Sequence, residues 1–314
     1  MFVVGGESLI DLVPVSAAPG AERVAHAGGS PFNCAIALSR LGNPTGFLCP
    51  ISQDEYGDLL LRPLADAGVA VLLDERVAAP TTKAIVSFNA KMQASYIFER
   101  GADRAFTRES LMAALPETVE LYQIGGFCPI LAEDAAIWTD VVKAAAQRGA
   151  TLSFDINVRD KLVDDEAGYR ARLSGFLDLA HLVKLSEEDH EWLRPGMSIQ
   201  DHAAELLARP NCELVVVTLG EEGSRAFSRS ATAQAPIFSP PVFGDTVGAG
   251  DSLMAGILTW LGEAGALKVG GLAGLDESQL KDMLAFGAVV AGINCGRKGC
   301  QPPSRAEVDA VLAG

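Results

Sequence analysis

Gly244-Asp245-Thr246-Val247-Gly248-Ala249-Gly250-Asp251 leads straight into the apolar segment Ala249–Leu261, in which Leu253, Met254, Ile257, Leu258 and Leu261 mark a buried helix face. Three small residues at a helix start let backbone N–H groups approach an anion with no Cβ in the way. The helix dipole adds partial positive charge at the same point. Asp251 falls in the first turn, facing the same space, as a carboxylate able to take a proton from a nucleophile. The same letters also describe a plain tight turn followed by a helix-start acid. Two other phosphate loops are excluded. Leu253 stands where a G-x-G-x-x-G needs its third glycine, and no Gly-Lys dipeptide exists for a Walker A loop.

Outward from this stretch, short apolar runs alternate with helical patterns, the mark of βαβ units and a mostly parallel sheet. The expected strands are Phe2–Gly5, Gly46–Cys49, Val119–Ile124, Thr151–Phe154, His181–Leu185 and Leu214–Thr218. Helical spacing covers Pro31–Leu41, Tyr56–Ala67, Glu133–Arg148 and Ile199–Ala208, with Ser30 expected as the cap of the first helix and Pro31 at its first position. Two stretches break the rhythm. Leu9–Val15 with Arg23–Ala27, and a hairpin Lys83–Asn89 with Ala94–Glu99 turning at Ala90–Gln93, predict short antiparallel strands set into the α/β domain as a small lid.

The chain has 314 residues, 49% of them apolar, enough for one large α/β unit. A net charge of −15 argues against a nucleic-acid surface, which needs Lys/Arg patches. It leaves a nucleotide substrate open, since one phosphate group needs only local donors. Six cysteines without a C-x-x-C pair read as buried reduced thiols of a cytoplasmic protein. The first residues, MFVVGGESLIDL, lack a basic region and read as an internal strand rather than a signal peptide, and no run is long enough to span a membrane.

Asp245–Asp251 resembles the C-terminal signature of the ribokinase (PfkB) carbohydrate kinases, and Gly28-Gly29-Ser30-Pro31-Phe32-Asn33 resembles their N-terminal G-G-x-x-x-N segment. The likeness extends over the whole chain. It implies a ribokinase-like three-layer α/β/α fold with a mostly parallel sheet, one domain over 1–314, and a β lid from segments near 9–28 and 83–100. It also implies that Asp251 is the catalytic base and that Gly248, Ala249 and Gly250 form the anion hole. Asp11, Gly28, Gly29 and Asn33 would meet the sugar, although Asp11 also fits a solvated strand-end acid and Asn33 a local cap. Val217–Gly223 resembles the family's T-x-G-x-x-G loop, implying ATP contacts from Thr218, Gly220 and Gly223, joined by Lys184, Ser186 and Gly250. The family's N-x-x-E element falls on Ser186-Glu187-Glu188-Asp189, a departure at both ends that leaves Asp189 to hold Mg²⁺ through water. Asp245 is the expected neighbour of a monovalent cation, K⁺ by resemblance.

Gly28–Gly42, Phe98–Thr107 and Ile293–Pro303 are most similar to fructokinases. Asp155-Ile156-Asn157-Val158-Arg159 is similar to an element they share with 2-keto-3-deoxygluconate kinases. The resemblance therefore implies ATP-dependent phosphorylation of D-fructose to fructose 6-phosphate. The sugar acid is an alternative, and a non-catalytic sugar-binding regulator is a further one. Phe98 and Arg100 would close over the substrate; Arg159 would meet sugar, carboxylate or phosphate, or else pair with Asp155. Small molecules are the expected partners, with no nucleic acid or membrane, and a homodimer through the lid.

Overall fold

The computed structural model describes residues 1–16, 21–88 and 94–314. Thirteen strands are formed among them: β1 Phe2–Gly5, β2 Leu9–Pro14, β3 Arg23–Gly28, β4 Thr45–Leu48, β5 Ala70–Val71, β6 Lys83–Phe88, β7 Ala94–Glu99, β8 Leu121–Gly125, β9 Thr151–Asp155, β10 Leu182–Ser186, β11 Leu214–Thr218, β12 Ser224–Ser228 and β13 Thr232–Ala235. The helices are α1 Ser30–Arg40, α2 Glu55–Ala67, α3 Arg108–Ala114, α4 Ala132–Gln147, α5 Glu166–Leu179, α6 Glu187–Leu193, α7 Ile199–Leu207, α8 Ala249–Glu263, α9 Glu277–Cys295 and α10 Arg305–Leu312.

Nine strands make the main sheet, in the order β13-β12-β11-β10-β9-β8-β1-β4-β5. All its pairs are parallel except β11–β12 and β12–β13. Continuous apolar runs such as Leu214–Val217 are buried along their whole length, as strands covered on both faces must be. One face packs on α1, α8 and α9 through Leu38, Ile257 and Leu284. The other packs on α4 and α5 through Trp138, Tyr169 and Phe176. Helices on both faces of a parallel sheet give the expected three-layer α/β/α fold. No helix among the described residues is long and apolar enough to cross a membrane.

The two irregular stretches form a separate four-stranded sheet, β3-β2-β6-β7, antiparallel except where β2 meets β6. The expected Ala90–Gln93 turn lies outside the described residues, as do residues 17–20 of the first lid segment. Three strands go beyond the sequence reading: β5, and the antiparallel pair β12–β13 that closes one edge of the main sheet. The expected Ser30 cap is corrected. The cap position belongs to Gly29, at φ 111°, with no side-chain cap bond, and Ser30 is already helical.

Helices α8 and α9 cross at glycines. A Cβ on Gly256 would lie 2.8 Å from Gly287 Cα and 3.0 Å from Val290 Cγ2. Gly256→Ala should therefore lower stability by roughly 1–3 kcal/mol through overpacking, although alanine is the better helix former. Urea unfolding measures this, and an unchanged midpoint would mean the two helices can part without cost.

Candidate active site

Two cavities meet at the N-terminus of α8. The first, about 580 Å³, is lined by Glu7, Asp11, Asn33, Phe98, Arg159 and Asp251 among others. The second, about 740 Å³, is more apolar and is lined by Gly220, Gly223, Phe238, Leu253 and Ala288. Thr218, Thr246, Ala249 and Gly250 belong to both walls. The seam between the cavities is thus the helix start singled out in the sequence.

The local chain explains this seam. Gly248 takes φ 71°, and a Cβ there would collide with Cys300 Sγ. Only glycine meets both conditions without strain. The Ala249 N–H donates to Thr246 O, and the Ser252 N–H to Gly248 O. Between them, the N–H groups of Gly250 and Asp251 have no backbone acceptor among the described residues. Two such unused donors at a helix N-terminus suit a phosphoryl oxygen. A Cβ on Gly250 would stand 3.2 Å from Lys184 Nζ, so the glycine leaves that ammonium uncovered from the helix side.

Asp251 is held from α1. The Ser30 hydroxyl donates to Asp251 Oδ1 at 2.6 Å, and the Asn33 amide donates to Oδ2 at 2.8 Å. Burial pushes the Asp251 carboxyl above its ordinary range; these two bonds, then Lys184 and Arg159, pull it back. Asn33 is therefore neither a local cap nor clear of the acid. It orients Asp251, and so does Ser30, whose role the sequence reading misassigned.

Lys184 is buried and bonds both oxygens of Asp155, at 2.9 and 3.0 Å. Burial raises Asp155 to about 6 against the pull of Lys184. Burial also depresses Lys184, but Asp155 outweighs it and holds the ammonium above its ordinary value. The two form a buried ion pair. This takes Asp155 away from Arg159, the pairing considered for it. Arg159 has no carboxylate within ion-pair reach among the described residues, and its guanidinium donates one long hydrogen bond, 3.3 Å, to its neighbour's carbonyl. Asn157, two residues before it, lines the same cavity at φ 42°.

Asp11 lines the first cavity from β2, and burial raises it to about 6. Gly28 packs against Asp11, and Gly29 precedes α1 beside the Glu7 carbonyl. Phe98 reaches the cavity and stacks edge-on against Phe127. Arg100 does not line the cavity. Its guanidinium lies behind Phe127, 4.9 Å from the ring centroid, and pairs with Asp103 at 2.6 Å and Asp134 at 3.6 Å. Ser186 and Asp189 form a capping box at α6, and Asp189 also accepts the Val158 N–H, so each Asp189 oxygen holds a backbone donor. Asp245 accepts from Val247 N–H and Gly299 N–H, joining two loops beside α8.

The sequence reading missed Glu7. It is 3% exposed, accepts the Phe127 N–H at 3.1 Å, and faces the first cavity. Burial raises its carboxyl to about 7.

Comparison with known proteins agrees with this geometry. The family model described as "pfkB family carbohydrate kinase" matches residues 1–307. Fructokinase-1 of Zea mays is 31% identical over 98% of this chain and 96% of its own. Fructokinase-2 of Solanum lycopersicum is 30% identical over 100% and 96%. The solved structure of a fructokinase with bound ATP from Xylella fastidiosa is 26% identical, covers 99% of this chain and 98% of its own, and superposes with a TM-score of 0.89.

Glu7 gives the site a pH signature. Its folded value near 7 stands above the ordinary 4.5, so the folded state holds that proton more tightly. The resulting stability is fully present below 4.5 and is lost as pH rises through 7, a change of about 3 kcal/mol. Glu7→Gln keeps an acceptor for Phe127 and should flatten that slope. Urea unfolding of both proteins from pH 4.5 to 7.5 reads the difference; parallel curves would rule the shift out.

Proposed function

This chain belongs to the pfkB family of carbohydrate kinases, and from that premise we propose that it transfers the γ-phosphoryl group of ATP to D-fructose, giving fructose 6-phosphate. The observation that carries the reading is the Asp251 carboxylate at the seam of two cavities, one polar enough for a sugar and one apolar enough for a nucleobase. A fructokinase 26% identical to this chain, solved with ATP, supports the choice of donor.

In this reading Asp251 takes the proton of the attacking hydroxyl as the new O–P bond forms and the bond to the β-phosphate oxygen breaks, leaving ADP. Ser30 and Asn33 hold the carboxylate in line. Of the expected anion hole, Gly248 and Ala249 shape the turn, and the unused backbone N–H groups of Gly250 and Asp251 receive the charge on the moving phosphoryl group. Lys184, Ser186, Thr218, Gly220 and Gly223 border the donor phosphates and nucleoside. Asp11, Asn33 and Phe98 border the sugar, and the four-stranded sheet shuts out water that would hydrolyse ATP.

No cluster of three metal-ligating side chains occurs among the described residues. Asp189, on the wall of the first cavity, is the carboxylate that would meet the hydration shell of a Mg²⁺ brought in with the nucleotide, and such an ion would supply charge neutralisation at the phosphates. Asp245 is the side chain we place nearest a K⁺ site. Ile97, exposed on the face of the small sheet turned away from the cavity that Tyr96 and Phe98 line, supports a homodimer through it.

A second reading has a specific observation behind it. Arg159, free of a carboxylate partner among the described residues and on the cavity wall, suits the carboxylate of 2-keto-3-deoxygluconate. An ADP-release assay across fructose, keto-deoxygluconate, ribose and adenosine should give fructose the highest kcat/KM. A higher value for the sugar acid would replace the first reading with the second, and sugar binding without ADP release would indicate a regulator.

Asp251→Asn preserves size and the Ser30 contact. It should cut kcat by on the order of 10²–10⁴ while sugar Kd stays nearly constant. Turnover equal to wild type would remove Asp251 from the role of base.

A further inference from the structure

A third cavity, of about 320 Å³, lies among α5, α6 and α7, away from the two just described. Its walls carry Arg170, Arg194, Arg209, His202 and Glu205. Each of the three guanidinium groups is paired with a carboxylate, Arg170 with Glu166, Arg194 with Glu205 and Arg209 with Asp178.

The three arginines are not equivalent. Arg170 spends its N–H groups on Glu166 Oε1 at 2.8 Å and on the carbonyls of Trp192 and Leu193 at 2.8 and 3.0 Å. Arg194 forks onto both oxygens of Glu205 and reaches the Leu193 carbonyl. Arg209 makes its hydrogen bonds through Nη1 alone, to Ser174 O and Oγ at 3.1 Å each and to Asp178 Oδ1 at 2.7 Å. Its Nε is buried and has no acceptor among the described residues.

A guanidinium binds an oxyanion best through two parallel N–H bonds. The Nε/Nη2 edge that makes such a fork is the part of Arg209 left over. Buried donors without acceptors are uncommon and costly in folded proteins, so this one calls for a ligand. His202 is held down to about 4, first by burial and then by His190 and Arg194, with Glu205 opposing, so it adds no charge at neutral pH. With every arginine already paired to a carboxylate, the Nε/Nη2 edge of Arg209 is the donor pair left unspent.

We propose that this cavity is a binding site for a phosphate-type oxyanion, gripped side-on by the Nε/Nη2 edge of Arg209 with Arg170 and Arg194 flanking it. At about 30 Å³ for each water in the liquid, 320 Å³ has room for free phosphate with its waters or for the phosphate group of a small ester. Both sources present the same recognition chemistry. The site is separate from the kinase cavities and is not needed for phosphoryl transfer.

Two measurements test it. Crystals of the wild-type protein grown with tungstate, a heavy analogue of phosphate, should show anomalous density against Arg209, distinct from any at the start of α8. Calorimetry with inorganic phosphate and with ribose 5-phosphate should count one more anion in wild type than in Arg209→Met. Arg209→Lys, which keeps the charge without the fork, should weaken that event by on the order of tenfold. The tighter of the two probes identifies the source as free phosphate or ester. Should Arg209→Met fail to fold, Arg209→Lys and the tungstate map still decide. Tungstate at α8 alone, or equal anion counts and affinities in wild type and variants, would overturn the proposal.

Discussion

The Asp251 carboxylate, gripped by a hydroxyl and an amide from the first helix of the chain, is the contact on which the site depends. It joins residues 221 and 218 positions apart, Ser30 and Asn33 to Asp251, and brings the starts of α1 and α8 face to face. An isolated buried carboxylate is strongly disfavoured, and it survives as an anion only where donors take the place of water. Two neutral donors and the nearby cations do part of that here. The remaining shift leaves an acid less willing to stay charged than one in water, and therefore a better acceptor for a hydroxyl proton. The main sheet serves this contact by fixing both helices on one of its faces.

Much of this was legible in one dimension because it is carried by backbone. Continuous apolar runs such as Leu214–Val217 have little choice but the middle of a parallel sheet. A glycine at Gly248 and another at Gly250, followed by an apolar helix face, have a meaning that needs no knowledge of their partners. The antiparallel pair Ser224–Ser228 and Thr232–Ala235 escaped because Phe227 is its one large apolar side chain and pairing with the neighbouring β11 makes these segments strands. Helix α9 escaped for another reason, since its first turns are polar and its later turns apolar almost all round, which leaves no continuous stripe.

Side chains acting at a distance were the harder part. Ser30 before a proline has every local mark of a helix cap, yet a glycine at φ 111° takes the cap position and frees the hydroxyl for Asp251. Arg100 was expected at the sugar from its place at the end of a lid strand. Two carboxylates from later segments, Asp103 and Asp134, draw it behind Phe127 instead. Glu7 carries no local sign at all. What makes it notable is enclosure by Gly126 and Phe127, some 120 residues away, and enclosure is a property of the folded chain.

The machinery and the selectivity of the site consequently rest on different atoms. In the proposed mechanism phosphoryl transfer leans on N–H groups, a helix dipole and one carboxylate, none of which identifies the acceptor. The same proposal leaves selection to the side chains around the first cavity, Glu7, Asp11, Phe98, Asn157 and Arg159. Burial raises Glu7 to about 7 and Asp11 to about 6, so Glu7 is able to donate or accept while Asp11 chiefly accepts from a polyol's hydroxyls. An anionic sugar would gain Arg159 but would also approach these two acids and Asp251. Desolvated like charges count heavily against a ligand, and one arginine against three carboxyl groups is the balance on which the proposal of an uncharged ketose over a sugar acid rests.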